Sequence, residues 1–152
     1  EIPHDLVVIG EKEKLMSIDK DAIINASYLR DRIWFTGYVE DSLLKQYYAH
    51  RDTLVFPSLY EGFGLPAVEA MACGLSVIGT DVEGIREIIR NGENGVLCGT
   101  DAPSIREAIQ RLLDDSETRH RLGTRARQTI LEQTSLAHCV RAEANVLSSL
   151  PL

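Results

Sequence analysis

Three features of the sequence predict an α/β fold, a doubly wound Rossmann-like parallel sheet. Short apolar runs recur along the chain, helical patterns separate most of them, and a glycine-rich loop opens one of the helices. Ligands of such a fold bind at the carboxyl ends of the strands. With 152 residues, 44% of them hydrophobic and 26% charged, the chain has the length and composition to bury a core without disulfides or a metal.

The expected strands, in order, are DLVVIG (5–10), IWFTGYV (33–39), TLVFPS (53–58), SVIGTD (76–81) and GVLCG (95–99). Each is short and apolar on both alternating faces, the pattern of strands covered on two sides. DSLLKQYYAHR (41–51) follows an acidic N-cap candidate and repeats apolar residues at Leu43, Leu44, Tyr47 and Tyr48, which predicts a helix. In LPAVEAMAC, Pro66 suits a first helical turn and Gly74 a C-terminal cap. DAPSIREAIQRLLDD (101–115) repeats the device: Asp101 caps, Pro103 opens, and Ile105, Ala108, Ile109, Leu112 and Leu113 form one stripe. Past 115 the character is wholly helical, so the expected organisation is a Rossmann-like domain over 1–115 and a helical extension over 116–152 packing on it.

A net charge of −7 argues against a nucleic-acid backbone as partner. The densest basic segment, RHRLGTRARQ (119–128), reads as a solvated helix face, with a contact to another domain or to an anionic membrane surface as the alternative. Cys73, Cys98 and Cys139 form no CxxC pair and are odd in number, which suits packing in a reducing compartment. His4, His50, His120 and His138 fall into no metal or triad spacing, and Asn25-Ala26-Ser27 is a sequon of a kind that arises by chance. No apolar stretch reaches membrane-spanning length and no signal-peptide pattern is visible, so a cytoplasmic location is expected. The chain starts at Glu1 rather than methionine, as a piece of a longer protein would.

The stretch EGFGLPAVE, Glu61 to Glu69, places two glycines and a proline between carboxylates, directly after an apolar run and the turn-like PSLY. Glycine lets the backbone approach a ligand closely, and a helix beginning there aims free amides and the positive end of its dipole at an anion, most often phosphate. Carboxylates repel phosphate, so the two glutamates need another reason. A nucleotide sugar supplies it: the diphosphate meets the helix, and the vicinal hydroxyls of ribose and hexose donate to carboxylates. Glu69, about one turn inside the helix, can reach back toward its N-terminus, while Glu61 precedes the glycines. A plain turn role for Glu61 and a dipole or amide role for Glu69 are the structural alternatives.

PSLYEGFGLPAVEAMACG resembles the signature of the retaining glycosyltransferases of group 1, which have the two-domain GT-B architecture. FTGYV before a helix, the E-x7-E pair Glu61 and Glu69, TDVEGIREII and NGENGVLC follow in the order of that family's C-terminal, donor-binding domain. The resemblance implies that Glu69 binds ribose hydroxyls and that Glu61, the catalytic candidate, contacts the donor sugar near the reacting carbon. It implies that Gly62 and the amides of Phe63, Gly64 and Leu65 hold sugar hydroxyls and phosphate, and that Gly37, Tyr38 and Val39 border the base. The implied activity is transfer of a hexose from a UDP-, GDP- or ADP-sugar to an acceptor hydroxyl with retention of configuration and without a metal or other cofactor. The expected partners are that nucleotide sugar and the N-terminal acceptor domain of the same protein, with peripheral association of the full-length enzyme with a membrane as a further option. The isolated chain is expected to bind nucleotide without catalysing transfer.

DLVVIGEKEK matches the family's second strand, so the first strand is expected to be lacking, and Lys12 and Lys14 do not inherit the family's leaving-group Arg and Lys. Glu83 and Arg86 stand where small residues and proline are usual. The rival from another class is an NAD-dependent oxidoreductase: Gly62, Gly64 and Ala67 spell GxGxxA, and Asp81 follows 17 residues after Gly64. Against it, Leu59, Tyr60 and Glu61 intervene where that fingerprint needs its first glycine at the strand end. A nucleotide-sugar isomerase and a non-catalytic nucleotide-sugar-binding module keep the site but change the class.

Overall fold

The computed structural model describes residues 4–10 and 31–133. Lys12, Lys14, the sequon at Asn25, His138 and Cys139 lie outside the described residues. The chain divides into two compact units, Glu1–Leu44 and Lys45–Leu152.

In the first unit β1 (Leu6–Ile9) pairs in parallel with β2 (Ile33–Gly37), Leu6 opposite Ile33 and Val8 opposite Phe35, before the register slips between Val8 and Ile9. Arg32 ties the two strand starts together: its Nε donates to the Asp5 carboxylate at 3.3 Å and a terminal nitrogen to the His4 carbonyl at 2.6 Å. At the other end Gly10 N–H donates to the Gly37 carbonyl at 3.1 Å. Helix α1 (Asp41–Ala49) starts where expected, with the Glu40 carbonyl accepting from the amides of Leu43 and Leu44. Of its apolar residues Tyr48 is buried and Leu43 is exposed.

The second unit holds a parallel sheet of order β3–β4–β5, formed by Thr53–Phe56, Ser76–Thr80 and Val96–Cys98. All five residues of central β4 are buried, the double cover read from its sequence. Ile78 packs with Ala108, Leu112 and Leu122, whereas a side chain at the next residue, Gly79, would meet Ile85 and Ile89. Neighbouring residues of β4 thus face different layers, as a doubly wound strand requires.

The remaining helices are α2 (Leu65–Ala72), α3 (Glu83–Arg86), α4 (Ala102–Asp114) and α5 (Ser116–Gln133). Gly74 closes α2 at a φ of +82°. Asp101 caps α4 as read from the sequence, accepting from the Ser104 amide at 2.9 Å and from its hydroxyl at 2.7 Å. Asp115 ends α4 and caps α5 through the Thr118 amide at 2.9 Å. The stripe on α4 is buried at Ala108 and Leu112, and α5 packs on α2, β4 and α4.

The arginines of the basic segment also bond within the fold, although Arg121 and Arg127 stay exposed, as expected of a solvated helix face. Arg119 donates to the carbonyls of Leu112 and Leu113 at 3.1 and 2.9 Å and pairs with Asp52 at 3.4 Å. Arg121 donates to the Gly92 carbonyl at 3.2 Å, Arg125 pairs with Glu93 at 3.5 Å, and Arg127 donates to the Ala72 carbonyl. Two of these cations sit at helix C-termini, where exposed carbonyls and the dipole favour positive charge.

Candidate functional site

The site follows from how α2 begins. Gly64 is its N-cap at a φ of +72°, a left-handed conformation that glycine adopts without strain. A Cβ there would also stand 2.9 Å from Ile85 Cδ1 and 3.2 Å from Ile88 Cδ1. The Gly64 carbonyl accepts from the amides of Ala67 and Val68 at 3.0 and 3.1 Å, and Pro66 has no N–H to satisfy. The amides of Phe63, Gly64 and Leu65 have no hydrogen-bond partner among the described residues. They are free donors at the positive end of a helix.

Glu61 is half-buried just before them. Its Oε2 accepts from the Ser58 hydroxyl at 3.2 Å, and that hydroxyl also donates to the Tyr60 carbonyl at 2.9 Å. Thr80, buried at the end of β4, donates its hydroxyl to the Ser58 carbonyl. Gly62, Phe63 and Leu65 are exposed, and Glu69 is exposed on α2. Tyr48 lies within electrostatic reach of Glu69: burial pushes its phenol up to about 12, and the charges of Glu69 and Cys73 add to the shift. At neutral pH Tyr48 is therefore an uncharged neighbour of the Glu69 carboxylate.

An open cleft of about 400 Å³ runs between this loop and α3, lined by Leu59, Tyr60, Glu61, Gly62, Val82, Glu83, Gly84 and Glu87. Of the sequence-derived candidates it collects Glu61 and Gly62; the free amides stand at the helix start, and Glu69 does not line it. Gly37, with a φ of +71°, ends β2 in the first unit and is followed by Tyr38, 81% exposed, and half-buried Val39. A smaller cavity of about 180 Å³ lies away from the loop, floored by Ala108, Leu112 and Leu122 and rimmed by Arg111 and Arg121. At the loop, by contrast, free amides stand beside a carboxylate. Among the described residues no three His, Cys, Asp or Glu side chains cluster to hold a metal ion.

Three residues of this site escaped the sequence reading. Gly84 faces the backbone of Glu61 and Gly62, Ser58 holds the Glu61 carboxylate, and Thr80 holds Ser58. Gly84 and Ser58 lie inside the quoted segments TDVEGIREII and PSLY, but nothing local shows which distant backbone or side chain they meet. The Glu83 and Arg86 departures also acquire a structure. Arg86 donates to Asp81 Oδ1 at 2.5 Å and to the Asp81 carbonyl at 3.1 Å, holding the Asp81 carboxyl below the usual carboxylate range. The acid that a dinucleotide reading needs for ribose is thus engaged by an arginine. β3 ends at Phe56, so Gly62 is not at the strand end either.

Parallel strands flanked by helices, with a glycine-rich loop opening one of them, define a Rossmann-like α/β class of protein. Residues 3–129 match the family Glycosyl transferases group 1, and the chain belongs to that family. It is 33% identical over 134 residues to N-acetyl-alpha-D-glucosaminyl L-malate synthase of Bacillus anthracis, covering 88% of this chain and 34% of that protein. Sucrose-phosphate synthase of Thermosynechococcus elongatus superposes with a TM-score of 0.82 at 29% identity, over 95% of this chain and 38% of that one. The Anabaena protein HepE, solved in complex with UDP-glucose, gives a TM-score of 0.79 at 25% identity, over 96% and 41% of the two chains. The chain therefore spans about a third of the length of the curated relative. These neighbours bear out the Rossmann-like α/β fold of GT-B glycosyltransferases. Among the described residues no helix is long and apolar enough to cross a membrane.

Proposed function

We propose that this chain is the donor-binding half of a retaining hexosyltransferase that takes a UDP-, GDP- or ADP-sugar and needs no metal. The observation that carries the reading is the start of α2, where the free amides of Phe63, Gly64 and Leu65 lie beside half-buried Glu61 and upstream of exposed Glu69. The amides receive the diphosphate, whose departure is the demanding step, and the helix dipole stabilises negative charge as it develops. Glu69 grips the ribose diol, Glu61 faces the donor sugar near the reacting carbon, and Gly37, Tyr38 and Val39 border the base. The UDP-glucose held by the HepE neighbour supports a nucleotide-sugar ligand for this fold.

Since the chain covers 34% of its Bacillus relative, transfer to an acceptor is assigned to the longer enzyme, with a separate acceptor-binding part, and nucleotide binding to the 152 residues. Calorimetry on the isolated chain tests this. Uridine, guanosine or adenosine diphosphate is expected to bind in preference to the matching monophosphate. No diphosphate binding at millimolar concentration defeats the donor-site reading, and robust transfer by the isolated chain defeats the assignment of catalysis to the longer protein.

A further inference from the structure

Glu61 is useful to a sugar only if its carboxylate is held in one orientation, since ordering a glutamate side chain on binding costs conformational entropy. Among the described residues one group bonds that carboxylate. The Ser58 hydroxyl lies 3.2 Å from Glu61 Oε2, which leaves Oε1 to accept from a ligand hydroxyl. Ser58 is itself fixed at three points: its N–H donates to the Phe56 carbonyl at 3.1 Å, its carbonyl accepts from Thr80, and its hydroxyl reaches the Tyr60 carbonyl at 2.9 Å. Thr80 is 1% exposed and belongs to β4, the most deeply buried strand. A chain of contacts therefore runs from the sheet to the carboxylate: Thr80 to Ser58 to Glu61.

Resting on the donor-site reading above, we infer that Ser58 is a positioning residue that sets the Glu61 carboxylate for the donor sugar. Its single proton is shared between a loop carbonyl and the carboxylate, so a purely structural role in closing the 58–60 turn is the competing explanation. The two differ in what happens once Glu61 is gone. A turn-closing hydroxyl matters whether or not residue 61 carries a carboxylate; a positioning hydroxyl matters only when it does.

The test is a double-mutant cycle on the 152-residue chain with Ser58→Ala, Glu61→Ala and the pair. The readout is the affinity for a nucleotide sugar divided by that for its own diphosphate, using whichever of UDP-glucose, GDP-mannose and ADP-glucose binds tightest. Ser58→Ala is expected to lower this ratio by about threefold to tenfold while diphosphate affinity stays within about twofold, and to have no further effect beside Glu61→Ala. Ser58→Thr, which keeps the hydroxyl, is expected to restore the ratio. Should Ser58→Ala melt below the assay temperature, Ser58→Cys, with its weak donor, is expected to show the same loss. An equal loss with and without Glu61, a loss confined to diphosphate affinity, or no loss at all overturns the inference while leaving the role of Glu61 intact. A Glu61→Ala variant with an unchanged ratio removes that role and the inference together, and a chain that binds none of the nucleotides defeats the donor-site reading itself.

Discussion

Gly84 of α3 stands so close to Glu61 that a Cβ added to it would lie 2.2 Å from the Glu61 carbonyl oxygen and 2.9 Å from the carbonyl carbon. The neighbour is backbone, which cannot rotate away as a side-chain tip can, so Gly84→Ala has to displace either α3 or the glutamate loop. Overpacking of this kind costs about 1–3 kcal/mol. Urea unfolding is expected to show a lowered midpoint and calorimetry a weakened nucleotide sugar. At Gly62 a Cβ would meet nothing within 4 Å, so Gly62→Ala is expected to leave stability within about 0.5 kcal/mol. Equal stability of the Gly84 variant and the parent would show that this contact does not shape the site.

Acid should destabilise the protein through capping and paired aspartates. Bonds from Arg86, Ser104 and Thr118 hold the carboxyls of Asp81, Asp101 and Asp115 below their ordinary value of 3.8. A carboxyl whose value is lowered by folding contributes stability that is complete above 3.8 and is lost as pH falls through the lowered folded value. Asp101→Ala is therefore expected to lower the urea midpoint at pH 7 and to flatten its fall below pH 3.8, so that parent and variant converge in strong acid. Parallel profiles across that range would contradict the role given to the cap.

Much of this architecture was legible because its cause is local. Apolar runs such as SVIGT mark buried strands, Asp101 before Pro103 marks a helix start, and the pairing of glycines with Pro66 marks the opening of α2. The candidate loop was legible for the same reason. What stayed hidden depends on which distant residue arrives. Asp81 looked available for a ribose until Arg86, five residues on, occupied it, and nothing local in 119–128 marks the carbonyls of Leu112, Gly92 and Ala72 that its arginines meet. Gly84 and Thr80 carry no local mark of their contacts with Glu61 and Ser58, since these cross between α3 or β4 and the loop.

Arg119 joins α4, α5 and the residue before β3, with 17% of its side chain exposed. Removing it leaves two helix-end carbonyls and the Asp52 carboxylate without this donor. Arg119→Ala is expected to destabilise the chain by about 1.5–3 kcal/mol in urea unfolding, the range for hydrogen bonds to charged groups. Arg119→Lys is expected to recover little, because one ammonium lacks the planar fork that serves several acceptors. Full recovery with lysine would reduce the contact to simple charge attraction.

The division of labour between the two glutamates tests the central claim most directly. The measurement is calorimetric binding of a nucleoside diphosphate and its nucleotide sugar to Glu69→Gln and Glu61→Gln in parallel. If Glu69 grips ribose, its variant loses affinity for both ligands alike, by about tenfold to hundredfold for a charged hydrogen bond to a hydroxyl. If Glu61 faces the hexose, its variant keeps diphosphate affinity and loses the extra affinity that the sugar confers. Equal losses of diphosphate affinity in the two variants, or no loss in either, would contradict the account.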